Sequence, residues 1–355
     1  MDDGPRDALI KLLHVLFNLH PNNTCQITHI EPLIKIYRGT LSVSDLRILS
    51  IFQLFESQRK LSVTPLLSLW SASSDTTSTS ALEALQSLDP GTVFKTCLNF
   101  PRWRRVEYQT SANSHVQDSK LYDPVFLLLL FSHMIGEHTP SSNFAWVDLL
   151  RTNVASLFLR ALSAKDEQIR ELALCQVVAL WRKLEVCLHL KNEQNLFLTR
   201  LQNADFQEKL HVQHLLNMVT YLIPAPSSSH ETVPRLPTYA TLLLSHALRA
   251  IFYPTTFLYP LTARFLLQRP TLDISDVPML YGMLYSSSDD NWKKDRAWMI
   301  KFLADGMVGS DDWRVLKRRH TWDLLASLFQ SGEQTGTTSL RSGILEVNAN
   351  LVSIT

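Results

Sequence analysis

Glycine is scarce in this chain, at 10 of 355 residues, where a typical protein carries ~7%. Sheet-rich folds and phosphate-cradling loops draw on glycine for turns with positive φ, so the shortage argues against both. Helical folds need little. Net charge is nearly absent as well, since 34 basic residues meet 33 acidic ones for a formal charge of +1. No whole-chain field draws in nucleic acid, and any such contact must come from a local cluster. The four cysteines, Cys25, Cys97, Cys175 and Cys187, form no CxxC pair. They read as reduced, mostly buried thiols of an intracellular protein. The start, MDDGPRDALIKLL, is acidic and lacks the basic region of a signal peptide. The longest dense apolar run, Val125 to Phe131, falls far short of the ~20 residues of a membrane helix. A soluble chain with no membrane partner is expected.

Catalytic signatures are also missing. There is no GxSxG elbow, no GxxxxGK[ST] phosphate loop, no GxGxxG and no HExxH. His211 and His214 share a helix face, but no acidic or cysteine partner stands at ligand spacing. Residues 305–312, DGMVGSDD, lack the alternating ligands and terminal Glu of a calcium loop. They read as a capped helix start, with Ser310 and the two aspartates ahead of Trp313. No enzyme activity, cofactor, metal or small-molecule substrate is expected.

Helical periodicity is what the chain has in abundance. In 166–190, DEQIRELALCQVVALWRKLEVCLHL, Ile169, Ala173, Val177, Leu180, Leu184 and Leu188 recur at steps of four and three. Residues 6–19 show Leu9, Leu12, Leu13 and Leu16 on one face. Residues 44–57 are opened by Ser44 or Asp45 as N-cap. Further helices are predicted over 124–136, 146–162, 206–222, 238–252, 256–267, 290–304 and 312–330. No strand alternation or hairpin turn stands out. The pattern predicts an all-α fold, an α-solenoid or irregular HEAT-like or armadillo-like array. Compositional breaks give a helical block over 1–223, with loops near 71–80 and 110–120. A Pro/Ser-rich linker over 224–236 leads to a second block over 237–355.

Two clusters carry the remaining signal. FPRWRR sets Arg102, Arg104 and Arg105 around Trp103. Residues 291–320 hold eight Lys/Arg against four Asp, with Trp292, Trp298 and Trp313 among them and Trp322 just beyond. Such cations can grip phosphates, and exposed aromatics can stack on bases. Arg102, Arg104, Arg105, Arg314, Lys317, Arg318 and Arg319 are therefore candidate contacts to RNA or a partner. Helical spacing accounts for Trp292, Trp298, Trp313 and Trp322 as core anchors. Three consecutive cations at 317–319 cannot share one helix face, so at least one should project outward.

The C-terminal half carries a resemblance. LPTYATLLLSHALRAIFYPTTFLYPLTARFLLQRPTLDISDVPMLYGMLYSSSDDNWKKDRAWMIKFLADGM and SDDWRVLKRRHTWDLLASLFQS together cover roughly 236–331. This text resembles the nucleolar pre-ribosomal-associated protein family, large helical scaffolds of early large-subunit ribosome precursors. YRGTLSVSDLRIL (37–49), SLDPGTVFKTCLNFP (87–101) and YDPVFLLLLFSHM (122–134) fit the same family more loosely. The resemblance implies a nucleolar, non-catalytic scaffold that assembles pre-60S particles and supports pre-rRNA processing. It implies partners among other assembly factors, including a DEAD-box helicase, and contact with pre-rRNA. Members of that family are much longer, and this chain stops in the apolar run LEVNANLVSIT. A C-terminal-region fragment or truncated product is expected. The other readings are an RNA-binding helical-repeat module and a generic protein-interaction adaptor.

Overall fold

The computed structural model describes residues 4–72, 78–106, 120–137, 139–189, 208–223, 232–266, 271–277, 279–285, 292–330 and 338–354. The fold is all-α. In chain order the helices are α1 (Gly4–Leu19), α2 (Pro21–Thr24), α3 (Ile30–Ile36), α4 (Val43–Arg59), α5 (Ala81–Gln86) and α6 (Pro90–Leu98). There follow α7 (Pro124–Glu137), α8 (Asn143–Arg151), α9 (Val154–Ala161), α10 (Glu167–His189), α11 (Lys209–Leu222) and α12 (Thr238–Phe252). The last are α13 (Leu258–Leu266), α14 (Leu280–Tyr285), α15 (Trp292–Gly306), α16 (Ser310–Arg318), α17 (Thr321–Gln330) and α18 (Thr338–Ile354). Among the described residues, extended pairing is limited to one antiparallel bridge between Thr40 and Tyr122. Much of the loops expected near 71–80 and 110–120, and of the linker at 224–236, falls on 73–77, 107–119 and 224–231, outside the described residues.

Local chemistry sets the helix ends, and several differ from the sequence-based expectation. The N-cap of α4 is Ser42, not Ser44 or Asp45; its Oγ accepts from the Asp45 amide at 3.2 Å. Asp45 is instead fully buried and accepts from Arg6 at 2.6 Å and from the Thr40 amide at 2.9 Å. The predicted helix 146–162 is two helices. Asn153 breaks it in the left-handed region at φ 65°, a conformation Asn tolerates, and its amide donates to Pro90 O at 3.0 Å. The predicted 312–330 is likewise split, by His320 at φ 49°. The short helix α6 lies outside the predicted helices and opens on Leu88-Asp89-Pro90-Gly91. Asp89 caps it, accepting from the Thr92 amide at 2.7 Å, with Pro90 at the first helical position.

Helix α1 turns the predicted face outward. It packs on α4 through Ile10 and Phe17, which are buried. Leu9, Leu12 and Leu16 are 51%, 56% and 41% exposed, and Leu13 is half-buried.

The core is organised around α12. Thirteen of its 15 residues are buried, so it is apolar nearly all round, as an interior helix must be. It lies against α9, α8, α6, α11, α13 and α15. Its closest companion is α9, every residue of which is buried. Ser156 and Ser245 face each other there, each hydroxyl donating to the other's carbonyl, at 3.2 Å and 2.8 Å. Small side chains at that crossing let the two backbones approach. One continuous cluster of buried apolar residues runs from Ile10 to Val347. It includes Trp70 and Trp146, the most buried tryptophans. Residues 232–237 are tied to the α9–α10 turn, with the Leu236 amide donating to Leu162 O at 3.1 Å.

Candidate nucleic-acid interface

The FPRWRR segment leaves α6 with Phe100 and Pro101 buried. That anchors the four residues that follow, and the structure separates their fates. Arg104 folds inward and is 7% exposed. Its Nε donates to both oxygens of Asp123, at 3.0 and 3.1 Å, and its terminal nitrogen to Oδ2 at 2.8 Å. A further bond goes to Arg105 O. Desolvation opposes charge on this guanidinium, but the adjacent Asp123 carboxylate outweighs it and holds the pKa up. Arg104 is therefore removed from the candidate contacts: it is buried, and its guanidinium is held by Asp123 and the Arg105 carbonyl. Arg102 and Arg105 remain exposed, with Trp103 half-buried between them.

Lys165, Asp166 and Glu167 close the other side of a cleft of about 530 Å³ lined by Arg102, Trp103 and Arg105. They stand at the turn into α10. Both Asp166 oxygens accept backbone amides, from Val106 at 2.9 Å and Gln168 at 3.0 Å. Behind the cleft, three guanidiniums converge on the 163–165 turn. Arg160 donates to the Ser163 hydroxyl and, through Nε, to Cys97 O at 3.0 Å. Arg235 donates to Ser163 O at 2.9 Å. Arg170 donates to Ala164 O at 3.0 Å and Lys165 O at 2.9 Å. These carbonyls follow the C-terminus of α9, the negative end of its dipole. Burial lowers the Arg160 pKa to about 10, Asp312 and Cys97 oppose the fall, and Arg102 and Arg235 add to it. The guanidiniums thus feel one another's charge.

Lys165, Arg170 and Arg235 were not singled out from the sequence. They come from two stretches, 165–170 and 235, both far from 102–105 in sequence, so no spacing links them to FPRWRR.

Asp312 joins this region to the second cluster. The helix start at 310–312 differs from the expected cap: Gly309 occupies the N-cap position and makes no side-chain bond. Asp312 turns inward and accepts from the Thr238 amide at 2.9 Å and hydroxyl at 3.2 Å. It therefore supplies, from 74 residues away, an acceptor for the open N-terminus of α12. Burial raises its pKa, against the Thr238 bond and the Arg235 charge.

The other cations of that cluster divide. Arg314 is exposed and pairs with Asp311 at 3.0 Å. Arg319 pairs with Asp276 at 2.7 Å. Lys317 and Arg318 project outward. Trp298 is half-buried and stacks on Phe302 at 4.9 Å. Trp313 and Trp322 meet at 5.3 Å and pack against the core. Trp292 is half-buried beneath the Arg296 guanidinium, 4.5 Å from its ring centre. His214 Nε2 lies 3.2 Å from Leu266 O. Among the described residues no three His, Cys, Asp or Glu side chains gather to hold a metal ion. No described helix is long and apolar enough to cross a membrane.

These features define a helical protein with one shared core and a cationic cleft beside its central helix. The family model for nucleolar pre-ribosomal-associated protein 1 matches residues 155–355, more than half of the chain, and the chain belongs to that family. It is 26% identical to mouse nucleolar pre-ribosomal-associated protein 1 over 377 aligned positions, which take in 100% of this chain and 15% of the mouse protein. Against the human protein of the same name the identity is 26% over 350 positions, covering 93% of this chain and 14% of the relative. The chain thus spans about 15% of the length of the curated relatives it matches. No solved structure matches the chain.

Proposed function

We propose that this chain is part of a non-catalytic scaffold that assembles early large-subunit (pre-60S) ribosome precursors and supports pre-rRNA processing. The observation that carries the reading is the family match over 155–355, a span that contains α12 and most of the helices packed on it. The chain is nucleolar, the compartment its family's name gives. Helices that leave long outer surfaces suit contacts spread over several partners, since no pocket has to gather them. The proposed partners are other large-subunit assembly factors, a DEAD-box helicase among them, and pre-rRNA.

Tagging the protein in its own cells and purifying it tests this. Large-subunit precursors and their assembly factors are expected in the purified material, and depletion is expected to lower the level of those precursors. Purified material free of pre-rRNA and assembly factors, with precursor levels unchanged on depletion, would reject the reading.

A further inference from the structure

We infer that the cleft lined by Arg102, Trp103, Arg105 and Lys165 takes the phosphodiester backbone of single-stranded RNA, with a base stacked on Trp103. This deepens the scaffold reading and rests on it for the identity of the strand as RNA.

The first observation is which cations are unoccupied. Arg104, Arg314 and Arg319 are each matched to a carboxylate within 3.0 Å. Arg102, Arg105 and Lys165 are exposed, and among the described residues their side chains make no hydrogen bond or ion pair. All three line one cleft. These three cations converge on one wall.

The second observation is what lies behind them. The guanidiniums of Arg160, Arg170 and Arg235 are held on the 163–165 turn by carbonyls and a hydroxyl. Carbonyls satisfy donors without cancelling a full charge. Of the carboxylates nearby, Asp166 accepts two backbone amides and keeps its charge on the cleft wall, and Asp312 faces Thr238. Asp311 is divided between Arg235 at 3.5 Å and Arg314 at 3.0 Å. Glu167 is the second acid on the cleft wall, so the wall itself sets three cations against two carboxylates. Positive charge is in excess, and a phosphate group would meet it.

The third observation is the wall itself. An acidic peptide would need only the cations. A half-buried tryptophan beside them adds a π-face, which any base can stack on. The cleft is half open, which leaves a way in and out for a strand that a pocket closed on all sides would not.

The test uses the 355-residue chain and a fluorescent 12-nucleotide oligouridylate, read by polarisation across a salt series. For single strands the slope of log affinity against log salt is about −0.7 per phosphate contacted. The combined Arg102→Gln, Arg105→Gln, Lys165→Gln variant is expected to bind at least tenfold more weakly and to shallow that slope by about 2. Trp103→Ala is expected to weaken binding roughly tenfold with the slope unchanged, and Trp103→Phe to restore it. Glu167→Gln is expected to tighten binding, a gain that a merely structural residue would not give. Circular dichroism melts confirm that each variant is folded. The site is overturned if the triple variant binds with wild-type affinity and slope. It is equally overturned if Lys317→Gln with Arg318→Gln abolishes binding, or if poly-glutamate displaces the RNA as well as unlabelled RNA does. None of these outcomes bears on whether the protein purifies with ribosome precursors, so the two readings fail separately.

Discussion

Arg104 and Arg105 are neighbours in sequence and opposite in environment. One is sealed against Asp123 and the other is open to the cleft. Removing the carboxylate from a buried pair leaves an uncompensated charge, at a cost of about 3–5 kcal/mol. Asp123→Ala is therefore expected to lower the urea midpoint sharply, whereas Arg105→Gln should leave it nearly unchanged. His246 makes the second residue-scale prediction. It is packed edge-on against Phe94 at 5.1 Å and Trp298 at 5.3 Å, with Phe302 also beside it. Burial first, and the Arg249 charge second, push its pKa down to about 4. Between that value and the unfolded value near 6.5, the unfolded chain binds the extra proton. Stability from the neutral ring is thus complete above about 6.5 and is lost as pH falls towards 4. The full loss is about 3 kcal/mol, taking ~1.4 kcal/mol per pH unit. Denaturant midpoints measured from pH 7 down to 4 should show this fall, and His246→Leu should reduce it.

At the scale of the element, α1 shows how periodicity identifies a helix without saying which face is inside. The helix has apolar residues on two sides. Ile10 and Phe17 meet α4, and the leucines at 9, 12 and 16 meet solvent. Ile10→Ala is expected to cost about 2–5 kcal/mol through the cavity it leaves. Leu12→Ser is expected to change stability by no more than about 0.5 kcal/mol. Chemical denaturation of the two variants side by side separates the faces. If Leu12→Ser proves the more damaging, the orientation of α1 is wrong. The cap of α4 illustrates the same limit at finer grain. Ser42, Ser44 and Asp45 all fit a helix start, and the choice of Ser42 follows from Asp45 being drawn into the buried network with Arg6 and Thr40.

For the whole molecule, the decisive element is α12. It stands after the compositional break at 224–236, yet it fills the space between α9, α8 and α6. Asp312 and Thr238 bind its N-terminus to α16, and Tyr239 presses on Gly306, where an added Cβ would come within 2.3 Å of its ring. Residues 1–223 made alone would leave the buried faces of α9 and α6 in water. They are expected to be insoluble or to bind a hydrophobic dye strongly, and to be rescued by co-expression with 237–355. Gel filtration of the co-expressed pieces checks this, and a monodisperse, dye-negative 1–223 would contradict it.

Sequence by itself determined the class of secondary structure. Apolar residues at steps of three and four, scarce glycine and proline-marked breaks require helices, because that spacing buries one stripe only when the chain coils at 3.6 residues per turn. Helices such as α10 and α12 were legible for that reason, and α5 and α14 were not, being only six residues long and too short to show a period. The family was legible in the text of 236–331. The candidate site was legible in part. Arg102 and Arg105 stood out as a run, but Arg104 could not be told from them, since its partner Asp123 lies 19 residues on. Lys165, Arg170 and Arg235 belong to the site only because α9, α10 and the 232–237 segment meet there. Charge and burial are properties of neighbourhoods, and tertiary structure alone decides which side chains become neighbours.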